Sequence, residues 1–311
     1  MTKKLISLLL VLVLAFSLVA CSKDEEKPAE TATETNTEEN TEEKTEEQAP
    51  EASNEPITVI SREDGSGTRG AFIEITGIEE KDGDTKVDKT TVDAVVQKST
   101  NAVLMTVNGD KNAIGYISLG SLNDSVKAAK VEGVEASSDN VLDGSYKIAR
   151  PFNIVYKGEA DGLKKDFIDF MMSKEGQDMV LENKYVQVDT AAAEYKQNSQ
   201  SGKLVVGGST SVTPLMEKFA EKYMEMYPDV KIEIQSTGSS AGIQAAIEGA
   251  ADLGMASRDL SDEEKAELTN VVIAKDGIAV IVNNDNAIDD LSLDQIKAIF
   301  VGETKTWGDI K

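Results

Sequence analysis

Short β-branched runs that end in glycine, serine and threonine, each followed by apolar positions at helical spacing, recur along this chain. Ile57, Val59 and Ile60 predict a buried strand. Asp64-Gly65-Ser66-Gly67-Thr68 breaks it, and Ala71, Phe72 and Ile75 resume with a helical period. The pattern returns at Lys203–Val206, where a strand enters Gly207-Gly208-Ser209-Thr210-Ser211-Val212-Thr213-Pro214. Leu215, Phe219, Tyr223 and Met226 then share one helical face, and Pro214 suits the first turn. It returns again where Val230–Gln235 alternates as a strand and opens into Ser236-Thr237-Gly238-Ser239-Ser240, ahead of Ile243, Ala246 and Ile247.

Between these units the pattern is plainer. Glu79–Lys89 is charged and reads as a loop, whereas Val92, Val95 and Val96 suggest a helix. Asn112–Leu119 and Arg150–Tyr156 read as strands, and Leu163, Phe167, Phe170 and Met171 mark an amphipathic helix continued by Met179, Val180 and Leu181. Gln197–Gly202 is a polar, flexible spacer. Ser261–Leu268 is a charged helical segment, and Asp276-Gly277 precedes the apolar strand Ile278–Val282.

Each strand, Gly/Ser/Thr turn and helix start can be an ordinary capped helix. Three of them converging at strand ends would make an anion site, because glycine lets backbone approach a ligand and free helix N–H groups, aligned dipoles and hydroxyls point the same way. Arg62 would add a planar, doubly donating charge.

The first twenty residues carry Lys3 and Lys4 and then an apolar run ending Leu18-Val19-Ala20-Cys21, an export signal too short to span a membrane well. Residues 21–56 hold no aromatic, leucine, isoleucine or valine and predict a disordered acidic tether. The net charge is −24; the first 56 residues account for −8 of it, so −16 stays with residues 57–311. That balance argues against nucleic acid as a partner and means that a bound anion is held by local groups. The chain has no histidine and one cysteine, which removes Ser-His-Asp and Cys-His catalysis and His- or Cys-based metal sites. Carboxylate, lysine or hydroxyl chemistry, or simple binding, stays open; no catalytic residue is singled out, and no metal or cofactor is expected. Gly65-Ser-Gly67-Thr-Arg-Gly70 also spells a dinucleotide fingerprint, but the region about twenty residues on, where a ribose-binding acid should end a second strand, is the charged loop around Asp82–Asp88.

Leu18–Cys21 resembles the lipobox of bacterial lipoproteins, in which the cysteine is lipidated, so Cys21 is the expected anchor on the extracytoplasmic face of the cell membrane of a Gram-positive-like bacterium. SREDGSGTRGAF, GSTSVTPLMEKF, QSTGSSAGIQAAIEGAADLGMASRDLS and DGIAVIVN together resemble the phosphate-binding lipoproteins (PstS) of the phosphate ABC importer over nearly all of residues 57–311. The resemblance implies an α/β, two-domain periplasmic-binding-protein-like (type II) fold that closes over inorganic phosphate, acts as a monomer and delivers the ion to permease subunits. The segment order differs from that expected of the family. GSTSVTP should come first, and SREDGSGTR should follow the segment Ile299–Trp307, so the chain is expected to be circularly permuted, unless it is a cut-down tandem repeat or a mis-assembled gene. Residues 57–150 plus 276–311 would form one domain and 151–275 the other, with hinge strands near Arg150–Tyr156 and Lys275–Val282.

Carried over by position, the resemblance implies phosphate contacts from Arg62, Ser66, Gly67, Thr68, Thr210, Ser211, Ser239 and Ser257. Some family members have aspartate at the position of Ser257, accepting the proton of hydrogen phosphate. Here Ser257 is expected to accept it instead, with Asp64 orienting Arg62, and Arg258 and Asp259 at the surface or between domains. The alternatives are a binding protein for another oxyanion, or a surface phosphatase or adhesin on the same scaffold.

Overall fold

The computed structural model describes residues 54–83 and 85–310. The export signal, Cys21 and the tether as far as residue 53 lie outside the described residues. Strand β1 (Thr58–Arg62) runs into helix α1 (Gly67–Ile75), followed by β2 (Glu79–Asp82), β3 (Thr85–Asp88), β4 (Val95–Gln97), α2 (Thr100–Gly109) and β5 (Ala113–Ser118). Short pieces β6 (Lys127–Ala128), β7 (Lys130–Val131) and α3 (Ser138–Leu142) lead to β8 (Ala149–Tyr156), α4 (Gly162–Met172) and α5 (Lys174–Glu182). Then come β9 (Gly202–Gly208), α6 (Thr213–Met226), β10 (Val230–Ser236), α7 (Ser239–Glu248), β11 (Leu253–Ala256), α8 (Asp262–Glu267), β12 (Thr269–Val282), β13 (Asp290–Leu291) and α9 (Leu293–Phe300).

One mixed sheet runs in the order β10-β9-β11-β8-β12-β5-β1-β4, with β6 added on β12. Its middle is β12, a 14-residue strand. The first part pairs antiparallel with β8, from Thr269 opposite Tyr156 to Gly277 opposite Ala149, and the last part pairs with β5, from Ile278 opposite Ser118 to Val282 opposite Ile114. The parallel strands β9 and β10, and β1, β4 and β5, lie on opposite sides of that pair. Each parallel strand needs a crossover to return, and the helices that supply it cover the sheet.

Apolar burial follows the same division. Phe152, Phe167, Phe170, Phe219, Tyr223, Leu253 and Ile273 belong to one core. Phe72, Tyr116, Ile148, Ile278, Val280, Phe300 and Trp307 belong to another, which Val186 also joins. The rings of Phe72 and Tyr116 stack with centroids 4.0 Å apart, and Phe300 meets Phe72 edge-on at 4.9 Å, so α1 and α9 are clamped on β5.

Four expectations are corrected. Glu79–Lys89 is not a loop; β2 and β3 form a hairpin with Glu79 opposite Asp88, and its ladder needs no apolar alternation because most of it is solvated. Val92, Val95 and Val96 form no helix. Val95–Gln97 is the edge strand β4, which backbone pairing to β1 holds with its valines largely exposed. The spacer at 197–202 is not loose throughout: Asn198 donates its amide to the Tyr227 hydroxyl at 3.1 Å and its side-chain nitrogen to Asp166 at 2.8 Å, and Gly202 already belongs to β9. The predicted tether also ends early, because Pro56 bridges Thr306.

Candidate anion site

Four helices begin at one place. Serine caps start two of them: Ser66 accepts from the Arg69 amide at 3.4 Å ahead of α1, and Ser99 from Ala102 at 3.1 Å ahead of α2. On the other side of the cleft α6 starts after the Ser209–Val212 turn, where the Ser209 hydroxyl accepts from the amides of Ser211 at 3.2 Å and Val212 at 3.4 Å. Helix α7 starts at Ser239, after Gly208 has accepted from the amides of Thr237 and Gly238, each at 2.8 Å. Gly208 has a φ of +139°, and a Cβ there would meet the Met255 carbonyl oxygen at 2.3 Å, so only glycine fits this turn.

The hydroxyls meet across the cleft. Thr68 Oγ1 lies 2.8 Å from Ser211 Oγ, and Thr100 Oγ1 lies 3.2 Å from Ser211 Oγ and 3.3 Å from Thr210 Oγ1. Ser257 Oγ lies 2.9 Å from Ser209 Oγ and 3.4 Å from Ser239 Oγ, and the Ser257 amide donates to Ser239 Oγ at 3.2 Å. Gly67 faces this second cluster, and its lack of a side chain lets α1 approach Ser239 and Ser257. Ser240 donates its amide to the Gly65 carbonyl at 3.1 Å, a direct backbone bond between the two turns.

Two guanidinium groups border the cluster, both buried. Arg62 donates Nε and Nη2 to the two carboxylate oxygens of Glu63, each at 2.8 Å, and Nη2 also reaches Thr210 Oγ1 at 3.0 Å. Arg150, on β8, donates Nη1 to the Ser257 carbonyl at 3.1 Å and to its hydroxyl at 3.3 Å. Its Nη2 lies 3.0 Å from Asp276 Oδ2 on the neighbouring strand β12, and Asp276 Oδ1 accepts from Ser118 at 3.0 Å. Burial pushes the Asp276 carboxyl up to about 6, although Arg150 and Ser118 pull the other way. Burial likewise lowers Arg150, while Asp276 opposes that shift.

All eight residues expected to contact the ion, Arg62, Ser66, Gly67, Thr68, Thr210, Ser211, Ser239 and Ser257, lie at these four helix starts or on the strand ends beside them. Asp64 does not orient Arg62. Its side chain is 98% exposed and pairs with Arg69 at 2.9 Å, and the orienting carboxylate is Glu63. Arg258 pairs with Glu264 at 2.7 Å. Sequence reasoning passed over Ser209, Thr100, Arg150 and Asp276. Thr100 had a signal: Val95-Val96 followed by Gln97-Lys98-Ser99-Thr100 is a fourth strand, polar turn and helix start, but without glycine. Arg150 and Asp276 are charges inside otherwise largely apolar strands, which is where a buried pair has to be sought.

The cluster is a set of inward donors with each guanidinium already matched to a carboxylate. Such a set of helix N-termini, amides and hydroxyls in a buried place favours an anion without net positive charge. Among the described residues, no group of acidic, histidine or cysteine side chains is placed to hold a metal ion.

Comparison with known proteins agrees with the fold. The family model described as a PBP superfamily domain matches residues 33–175 and 193–310. The phosphate-binding protein PstS 2 of Streptococcus pneumoniae is 49% identical over 261 residues, covering 84% of this chain and 90% of that protein. PstS 2 of Streptococcus agalactiae is 51% identical over 263 residues, covering 83% and 89%. A crystal structure described as a phosphate-binding protein of a phosphate ABC transporter, from S. pneumoniae, is 55% identical, covers 83% of this chain and all of that one, and superposes with a TM-score of 0.68. With an α/β binding-protein fold and full-length relatives at half identity, the chain belongs to the PstS family of phosphate-binding proteins.

Proposed function

We propose that this chain is a solute-binding protein, not an enzyme, which captures inorganic phosphate between the two halves of its sheet and delivers it to the permease subunits of an ABC importer. One observation carries this reading. Hydroxyls from four helix starts and two buried guanidiniums, drawn from both sides of the β8–β12 pair, meet in two adjoining clusters joined through Ser209. A tetrahedral oxyanion is the ligand whose acceptors such a set of donors can satisfy.

In this reading residues 57–150 plus 276–311 form one domain and 151–275 the other, β8 and β12 are the hinge strands, and the eight predicted residues hold the ion with Thr100 and Ser209 beside them. The chain is circularly permuted relative to family members in which the GSTSVTP segment comes first. One pair of contacts supports that, and one comparison bears on how widely the order is shared. Ile57 donates its amide to the Lys305 carbonyl at 2.8 Å, and Trp307 donates to Glu55 at 3.3 Å, so the first and last described segments are neighbours, as a joined chain requires. A match running through 261 residues at 49% identity preserves segment order, so this order is shared with PstS 2 rather than peculiar to one gene. Cys21 carries the lipid anchor that holds a monomer on the outer face of the cell membrane.

Isothermal calorimetry of the purified chain with phosphate tests the reading. Saturable binding with one ion per chain supports it, and no heat with millimolar phosphate overturns it. Metabolic labelling with palmitate, lost in Cys21→Ser, tests the anchor.

A further inference from the structure

Hydrogen phosphate and sulfate share shape and nearly share charge, but only the former carries a proton. A site separates them by pointing a buried acceptor with a vacant lone pair at that proton. The hydrogen-bond directions around Ser257 bear on whether this cleft has one, an inference that rests on the phosphate reading above.

Ser209 Oγ accepts from the amides of Ser211 and Val212, which uses its lone pairs, so its own proton goes to Ser257 Oγ at 2.9 Å. Arg150 can only donate, and its Nη1 donates to the same oxygen at 3.3 Å. Asp276 holds the far side of that guanidinium at 3.0 and 3.3 Å, so Arg150 is not free to turn away. Two donors fill the two lone pairs of Ser257 Oγ, and its proton is left to donate, to Ser239 Oγ at 3.4 Å or to a ligand. The expectation that Ser257 accepts the ligand's proton therefore fails on lone-pair count.

Nor does a carboxylate take its place. Both oxygens of Glu63 face Arg62, and Asp276 sits behind Arg150. What remains is the run of hydroxyls Thr210, Thr100, Ser211 and Thr68, linked at 3.3, 3.2 and 2.8 Å. Hydroxyl protons rotate, so each link can offer a proton or a lone pair.

We propose that Arg150 and Ser209 lock Ser257 as a hydrogen-bond donor and that rotatable hydroxyls alone meet any proton on the ligand, so that the cleft selects tetrahedral oxyanions by shape and charge and not by protonation. Sulfate is then a true competitor of phosphate. A site with a dedicated acceptor rejects an analogue lacking the proton by roughly 10⁴- to 10⁵-fold.

Calorimetry of the whole purified chain with phosphate and with sulfate at one pH tests this. The expected ratio of dissociation constants is below about 10³, on the same scale. Ser257→Ala should weaken both ions by the same factor, because it removes a donor common to both. Ser257→Asp should raise the ratio at least tenfold by supplying the missing acceptor. A ratio above that limit, a Ser257→Ala loss confined to phosphate, or a ratio unmoved by Ser257→Asp overturns the proposal and leaves phosphate binding intact. Absence of binding by either ion overturns the phosphate reading itself.

Discussion

A Cβ added to Gly67 would lie 2.4 Å from Ser239 Oγ and 2.8 Å from Ser257 Oγ, so the start of α1 and the start of α7 touch with no room for a methyl group. Ser239 and Ser257 are buried and hydrogen-bonded to each other, and neither can move far. Gly67→Ala is thus expected to prop the two turns apart while sparing each core. Phosphate affinity should fall at least tenfold with the urea midpoint within experimental scatter of wild type. A variant that binds phosphate normally would show that this contact is not part of the bound state.

Arg62 is held in a fork by Glu63 and reaches Thr210 with the same nitrogen that completes the fork. Truncating it removes a buried donor pair from the cleft and leaves the partly exposed Glu63 carboxylate without its partner. Calorimetry should register a loss on the order of 2 to 5 kcal/mol for Arg62→Ala. Arg62→Lys keeps the charge but not the planar pair of donors, and it should recover less than half of that loss.

Thr100 joins Ser211 and Thr210, which stand on the other side of the cleft. Removing its hydroxyl in Thr100→Val keeps the size of the side chain and deletes two links. The expected result is a loss of about 1 kcal/mol in phosphate affinity. Ser99→Ala, in contrast, removes only the α2 cap and should lower the thermal midpoint without a comparable change in affinity, a pair of outcomes that calorimetry and thermal unfolding separate.

These residues also show where the fold was readable. The turns at Gly65–Thr68, Ser209–Ser211 and Gly238–Ser240 announce themselves because glycine interrupts a β-branched run just before apolar positions take up a helical period. Strand Ala149–Tyr156 falls within one residue of the expected Arg150–Tyr156 because Phe152, Ile154, Val155 and Tyr156 favour an extended, half-buried backbone. The turn at Ser99–Thr100 hides because it lacks glycine and because Val92, Val95 and Val96 mimic helical spacing. The β2–β3 hairpin hides because solvated strands of Glu, Lys and Asp carry no alternation. Arg150 and Asp276 are 126 residues apart and meet only through strand register, which no local pattern encodes.

Asp166 gathers the segment ahead of β9. It accepts from the hydroxyls of Tyr195 and Tyr223 and from the side-chain nitrogen of Asn198, while Tyr195 lies 2.8 Å from the Tyr227 hydroxyl. Asp166→Ala leaves those hydroxyls without their shared acceptor. The segment from Ala193 to Ser201 should then become a site of early cleavage in limited proteolysis, and global stability should drop by about 1 to 3 kcal/mol. Cleavage rates equal to wild type would mean that the segment is held by other contacts.

The Arg150–Asp276 pair makes stability depend on pH. Burial lifts the Asp276 carboxyl to about 6, above its value in an unfolded chain. Between the ordinary aspartate range and 6, the native state therefore holds a proton that the unfolded state has released. The contribution of this group to stability is greatest below that window and is lost as pH rises through it. In Asp276→Asn the same position cannot titrate. The variant pays a fixed cost for leaving Arg150 without a charged partner, and Arg150 stays protonated across the whole window, so that cost does not change with pH. Unfolding free energies from urea titrations at pH 4.5 and 7.5 should show wild type losing stability relative to Asp276→Asn on going to the higher pH, by on the order of 1 to 3 kcal/mol. Parallel curves for the two proteins would mean that Asp276 keeps an ordinary carboxyl in the fold, stabilised by Arg150 as fully as burial destabilises it.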